Sequence, residues 1–293
     1  MKPALMTMPA WGESALVLLA HGSTSNRQSR LPADFHAGLL RQRGLFAHVE
    51  VAFWKEPVFY HEVLERIEVD HVYLVPFFIS EGYYTKEVIP SAFGMTGRVT
   101  QQSGKFLYYC DPAGCHPAMT RALLAEIQAV LAGSVPQGET LPSDRELDVL
   151  LVGHGTPRNR KSTEAIRKQV ERLKGLDRFG FCGDCYMEEA PWVADWDRLT
   201  PGKQVVAVPY FIADGLHSYE DIPRLMGLSG ETAFPVPAEL RGKRLWYGRS
   251  IGHQAEMEQV ILDLVRDFHP LRPFCTSCPE RCVVESAGSH LIQ

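Results

Sequence analysis

The stretch QVVAVPYFIADGLHSYEDIP, residues 204–223, decides the fold. Its first half is apolar and β-branched, the pattern of a parallel strand buried on both faces. Pro209 marks the point where the run turns aromatic, and His217 sits on the loop that follows. Nearly the same phrase, HVYLVPFFISEGYYTKEVIP, fills residues 71–90, displaced by 133 positions. That displacement also carries His21-Gly22-Ser23 onto His154-Gly155-Thr156, Arg27 onto Arg160, Ser29 onto Ser162, Glu56 onto Glu189, Gly82 onto Gly215 and Glu87 onto Glu220. A constant offset across so many special residues reads as an internal duplication. The copies differ where chemistry would matter, because Tyr84 stands where the second copy has His217.

Working outward, the first copy reads as strands at 15–20, 49–54, 71–79 and 105–110, with helical stretches at 31–42, 59–67 and 117–131. The second reads as strands at 147–153, 179–187, 204–212 and 244–248, closed by a helix over 254–268. Strands alternating with helices predict right-handed crossovers and a parallel sheet covered on both faces. The polar segment SVPQGETLPSDRE, 134–146, is the one convincing linker. The expected organisation is therefore an α/β fold of two flavodoxin-like lobes, 1–133 and 147–268, each with a four-stranded parallel sheet and a cleft between them. A tail, 269–293, has no counterpart in the first copy.

Bulk properties exclude several classes. A net charge of −5 argues against a nucleic-acid or anionic-membrane partner. No apolar run approaches the ~20 residues needed to cross a bilayer. The early run ALVLLA ends in His21-Gly22 and reads as a core strand rather than a secretion signal, so a cytoplasmic location is expected. No GxxxxGK(S/T) phosphate loop is present.

In open parallel sheets ligands bind outside the carboxyl ends of the strands. His154, Glu189 and His217 follow strands one, two and three of the second copy, so all three are expected at one edge. Two neutral imidazoles with a carboxylate nearby suit a first-row divalent metal and can accept protons. A single histidine in such a place is more often a loop-bonding group, and His21, without a second histidine, is read as structural or substrate-holding. Arg27 and Arg160, singled out by the duplication, are candidate carboxylate-binding groups. The aromatics Tyr83, Tyr84, Tyr210 and Phe211 are candidates for packing on a flat ligand.

These residues carry a specific resemblance. The strand-HG(S/T) opening, the phrase VPxFxxxGxHxxxDIP from Val208 to Pro223, and the ending at Gly114, His116 and Pro117 resemble the sirohydrochlorin cobaltochelatases, class II chelatases related to ferrochelatase. The resemblance spans 15–268 as a fused, two-copy form. It implies insertion of a divalent metal, cobalt or ferrous iron, into sirohydrochlorin or a related tetrapyrrole without ATP, in cobalamin or siroheme biosynthesis. It further implies His154 and His217 as the metal site with Glu189 at the acidic position. His21, Tyr84, Arg27 and Arg160 would then face substrate, and Tyr84 departs from the paired-histidine pattern. A monomer or homodimer is expected. The alternatives are a non-catalytic protein that binds metal, tetrapyrrole or cluster, and a histidine phosphatase. The latter needs an arginine before the histidine, where Ala20 and Gly153 stand.

The tail adds a second signal. FCTSCPERC, 274–282, spaces Cys275, Cys278 and Cys282 as C-x2-C-x3-C, which suits an iron–sulfur cluster, or zinc, given a fourth ligand. The last helix is expected to run antiparallel to the strands, so the tail starts near the strands' amino ends, where Cys182 lies. Cys182 is therefore the expected fourth ligand, with Cys185 next.

Overall fold

The computed structural model describes residues 8–133, 140–156, 160–228 and 237–270. The first copy runs β1 (Ser14–Ala20), α1 (Leu31–Arg43), β2 (His48–Phe53), β3 (His71–Pro76), α2 (Ile89–Ala92), β4 (Val99–Gln102), β5 (Lys105–Tyr109) and α3 (Met119–Ala132). The second runs β6 (Leu147–Gly153), α4 (Arg160–Gly175), β7 (Phe181–Tyr186), α5 (Trp196–Leu199), β8 (Gln204–Pro209), α6 (Ile222–Met226), β9 (Ala238–Leu240), β10 (Lys243–Tyr247) and α7 (Met257–Arg266). The sheet orders, β2-β1-β3-β5-β4 and β7-β6-β8-β10-β9, are the same order written twice. β1 and β6 are buried at all seven positions, as runs apolar but for Ser14 and Asp148 require.

Each sheet has five strands where the sequence reading expected four. The additional strands, β4 and β9, are short antiparallel edges hairpinned onto β5 and β10. Both hairpins turn through two residues of positive φ, Ser103-Gly104 (51° and 78°) and Arg241-Gly242 (51° and 76°), the geometry that matches strand twist. Ser and Arg at the first turn position, in place of Asn or Asp, hide that signal in the sequence. The stretch 59–67 also differs from expectation: it holds a single 3-10 turn, Val63–Arg66, rather than a helix.

The two sheets share one layer of helices, and the closing helix of each copy crosses to the other copy's sheet. α3 packs on β8 and β10, while α7 packs on β3. One apolar core therefore runs through both halves, joining Leu16, Leu18 and Tyr73 to Val149, Leu151 and Val206. This exchange sets the start of the tail against the first lobe, whereas Cys182, the expected fourth ligand, belongs to the second. α7 delivers Phe268 onto Tyr73 and Tyr108 of the first lobe. Cys182 is a buried thiol in β7 of the second lobe, its pKa pushed up by burial to about 11. Cys275, Cys278 and Cys282 lie outside the described residues.

Interlobe polar contacts follow the pseudo-symmetry. His36 on α1 bonds through Nε2 to the Gly252 carbonyl at 2.7 Å. The residue 133 positions later, Gln169 on α4, donates Nε2–H to the His116 carbonyl at 3.1 Å. Burial lowers the His36 pKa from 6.5 to about 4, against the opposing pull of its Gly252 bond. A buried histidine kept neutral binds fewer protons than its unfolded counterpart. Stability from this site is therefore complete above pH 6.5 and lost as pH falls toward 4, by up to about 3 kcal/mol. His36→Gln, which keeps a donor and removes the titration, should flatten the decline in urea-unfolding free energy across that window. An unchanged slope would refute the assignment.

Candidate metal-binding site

In a sheet of this order the parallel pairs β1–β3 and β6–β8 mark where successive strands begin to be added on the opposite side, so the crevice for a ligand opens between those carboxyl ends. His154 follows β6 and His217 follows the loop after β8, one on each side of the second crevice. Gly155 must be glycine: its φ is +70°, and a Cβ there would lie 2.7 Å from the Tyr186 Cβ and 2.8 Å from the Glu189 Cγ. His217 opens a π-helical turn, His217–Asp221, a wide turn often found at functional positions.

The two imidazoles meet edge to face, with centroids 4.8 Å apart and planes at 79°. His154 Nδ1 lies 2.8 Å from the Gly155 carbonyl oxygen. A carbonyl only accepts, so Nδ1 carries the proton and Nε2 keeps its lone pair. His217 Nδ1 lies 2.8 Å from Asp221 Oδ2, which fixes the same tautomer. Asp221 is itself held by Arg224 at 2.8 Å. Both Nε2 atoms are thus presented as metal-ready donors, and His217 has the carboxylate partner characteristic of metal-ligating histidines. Among the described residues no group of three or more His, Cys, Asp and Glu forms a closed metal cage. Two neutral imidazole nitrogens are a donor set that suits a first-row divalent ion.

The first copy repeats this geometry with one ring changed. His21 Nδ1 bonds the Gly22 carbonyl at 2.8 Å, and its ring meets Tyr84 at 4.6 Å and 89°. The phenol replaces the second imidazole in place, leaving one nitrogen donor. The loops of the two lobes approach each other, since Gly215 faces the Asn26 side chain.

The sequence profile of the CbiX family matches residues 15–130 and again 148–268. The chain belongs to the CbiX family. It is 35% identical over 272 residues to a probable sirohydrochlorin cobaltochelatase of Halobacterium salinarum, covering 86% of this chain and 91% of that protein. Its fold is similar to the sirohydrochlorin chelatase SirB of Bacillus subtilis in complex with cobalt, at TM-score 0.63 and 13% identity, covering 87% of this chain and 94% of that one. It is also similar to DR2241, a multi-domain protein of Deinococcus radiodurans with structural similarity to chelatases, at TM-score 0.72 and 24% identity. That match covers 86% of this chain, which spans 54% of the Deinococcus protein.

Within this CbiX chain, the other expected site residues are distributed unevenly. Glu189 accepts a hydrogen bond from Thr163 at the start of α4 and packs beneath Gly155, so it braces the loop. The carboxylate beside the His154 ring is its neighbour Glu188, 3.7 Å from Nε2 and half exposed. Arg160 is exposed at the start of α4 and lines a cavity of about 430 Å³ with Thr163, Glu164, Arg167 and Glu189. Arg27 is exposed on the turn after the His21 loop. Tyr210 is core: it is 1% exposed and its hydroxyl donates to the Gly114 carbonyl across the lobes. Sequence reading missed Asp221 and Glu188. The i,i+4 spacing of His217 and Asp221 was the available signal for the first.

Asp221→Ala should weaken cobalt(II) binding by about 10- to 100-fold while leaving the melting temperature near that of the wild type. A titration giving less than about a twofold change would mean that the ring is oriented by something else.

Proposed function

We propose that this chain inserts a divalent metal ion, cobalt(II) or iron(II), into sirohydrochlorin or a closely related tetrapyrrole without hydrolysing a nucleotide, in the route to cobalamin or siroheme. The observation that carries this reading is the His154–His217 pair, with both Nδ1 atoms committed to acceptors and both Nε2 atoms left as ligands. The names of the CbiX relatives support it.

The reaction exchanges one dication for two pyrrole N–H protons, so charge and atoms balance without a cofactor. Two neutral imidazoles hold the ion in place of part of its water shell. As the ion moves to the macrocycle, each Nε2 regains its lone pair and can take a proton. Glu188 is the nearest carboxylate to pass protons to solvent. In this reading His21 and Tyr84 form the opposing wall against the macrocycle, and Arg27 and Arg160 hold its carboxylates.

Anaerobic incubation of the purified chain with sirohydrochlorin and cobalt(II) or iron(II), followed by visible absorbance, tests the proposal. Metallation above the uncatalysed rate is the expected result. Tight binding of the tetrapyrrole without turnover would replace the chelatase reading with a non-catalytic binding role.

We also propose that Cys275, Cys278 and Cys282 hold an iron–sulfur cluster, with zinc as the alternative. Wild-type protein purified without oxygen should be brown and contain iron and sulfide, and Cys278→Ser should be colourless. A colourless, zinc-containing wild type would end the cluster assignment.

A further inference from the structure

Arg249 lies just beyond the end of β10, at the same sheet edge as His154 and His217. Its backbone N–H donates to Glu126 Oε1 of α3 at 2.6 Å, so the other copy's helix fixes its position. Its guanidinium donates to Asp214 Oδ2 from Nε at 3.3 Å and from Nη2 at 3.1 Å. Asp214 is 1% exposed at its side chain, yet the Arg249 side chain remains 49% exposed. Asp214 also accepts from the Ser250 N–H at 3.0 Å and the Tyr219 hydroxyl at 2.9 Å, and lies 2.9 Å from His253 Nε2. Burial raises its pKa, but the His253 and Ser250 contacts outweigh that and hold it well below the usual carboxylate range.

This arrangement is built against the metal site. Asp214 stands three residues before His217, and Tyr219 belongs to the same π turn. Leu216, between them, is 67% exposed and offers an apolar surface beside the imidazole. A guanidinium carries five N–H donors; Asp214 takes two, and the Tyr219 hydroxyl is a further hydrogen-bond partner of the group. Half of the Arg249 side chain is exposed, and that side can meet a planar acceptor. Because the ion pair is formally neutral, its contribution to a ligand is directional more than a matter of net charge.

The first copy supplies an internal contrast. The fourth strands align with a shift of 138, which sets Asp111 opposite Arg249. Asp111 is paired with the buried Arg98, and Glu81, opposite Asp214, lies 3.2 Å from Lys86. The strand-end residue is thus an acid at the His21–Tyr84 mouth and a cation at the His154–His217 mouth. The cation accompanies the imidazole pair.

From this geometry we propose that Arg249 is a substrate-binding residue that takes a carboxylate of the tetrapyrrole's acidic side chains and so orients the macrocycle over His154 and His217. The inference rests on the tetrapyrrole reading above and adds to it a residue and a ligand group. A purely structural ion pair would leave tetrapyrrole affinity unchanged.

The test uses the full chain and two readouts. In fluorescence titrations with metal-free sirohydrochlorin, Arg249→Gln should weaken binding about tenfold or more, and Arg249→Lys should recover part of the loss. In steady-state metallation the loss should fall on KM for the tetrapyrrole, with kcat within about twofold of wild type and cobalt(II) affinity unchanged. A methyl-esterified tetrapyrrole should not distinguish Arg249→Gln from wild type. Arg145→Gln removes the same charge from an exposed pair with Asp177 and serves as the control, with wild-type binding. Sirohydrochlorin binding within about twofold of wild type in Arg249→Gln, or an equal loss with the ester, overturns the proposal. Weakened binding in a set of proteins none of which metallates would support Arg249 and sink only the chelatase reading. No sirohydrochlorin binding by the wild type would overturn both.

Discussion

His154→Ala and His217→Ala should each lower the rate of metallation by at least about a hundredfold. Even an outer partner of a metal ligand typically costs 10- to 100-fold, and in the proposed function these residues touch the ion itself. The fold should survive both changes. The side chains are 36% and 50% exposed, and each gives up one hydrogen bond at the surface, so unfolding free energy should move by no more than about 0.5 kcal/mol. His21→Ala should be milder, because its partner ring is Tyr84 and the pair lacks a second nitrogen donor. Metallation rates, cobalt(II) titrations and melting curves for the three variants check this together. Equal loss in all three would contradict a single site in the second lobe.

Gly252→Ala should be the most damaging small change to the fold. A Cβ at Gly252 would fall far inside van der Waals contact distance of the Ile212 carbonyl oxygen, a main-chain atom that cannot rotate away. The turn at Gly252 and the loop after β8 cannot separate to make room, because the Gly252 N–H donates to the Phe211 carbonyl at 3.1 Å while its own carbonyl is bonded to His36. We expect a loss at or beyond the upper end of the overpacking range, about 3 kcal/mol, in urea unfolding. Gly114 is held the same way against Ile79 in the first copy, its N–H bonded to Phe78, and Gly114→Ala should behave alike. Gly38→Ala is the contrasting case. It lies within α1 with open space at the Cβ position and should be neutral or stabilising by up to about 1 kcal/mol. Similar losses at Gly38 and Gly252 would mean that contact with Ile212 is not what excludes a side chain.

The duplication made much of this molecule readable from sequence. Buried parallel strands announce themselves by unbroken apolar runs, and a repeated offset turns two weak readings into one strong one. The imidazole pair was legible for the same reason, since both histidines follow strand ends in a known sheet order. β4 and β9 escaped because short edge strands have little apolar pattern and their turns lack Asn or Asp. The choice of Glu188 over Glu189 at the His154 ring escaped because two adjacent acids at a strand end look alike until the loop geometry sends them different ways. Asp214 and Arg249 carry no periodic signal, and only the packing of the loop after β8 and of α3 against the end of β10 brings them together. Helix exchange is invisible to periodicity altogether: an amphipathic pattern says that a helix covers a sheet, never whose.

That exchange has a bearing on how the chain is made. The inner face of the first sheet, with Tyr73 at its centre, is covered partly by α7, whose residues 257–266 lie at the far end of the described sequence. During translation the amino-terminal half therefore emerges with an apolar flank that lacks this cover until α7 has left the ribosome. Such a nascent half is exposed to aggregation for the duration. Completion of either half is a joint, late event, and the two cannot mature one after the other.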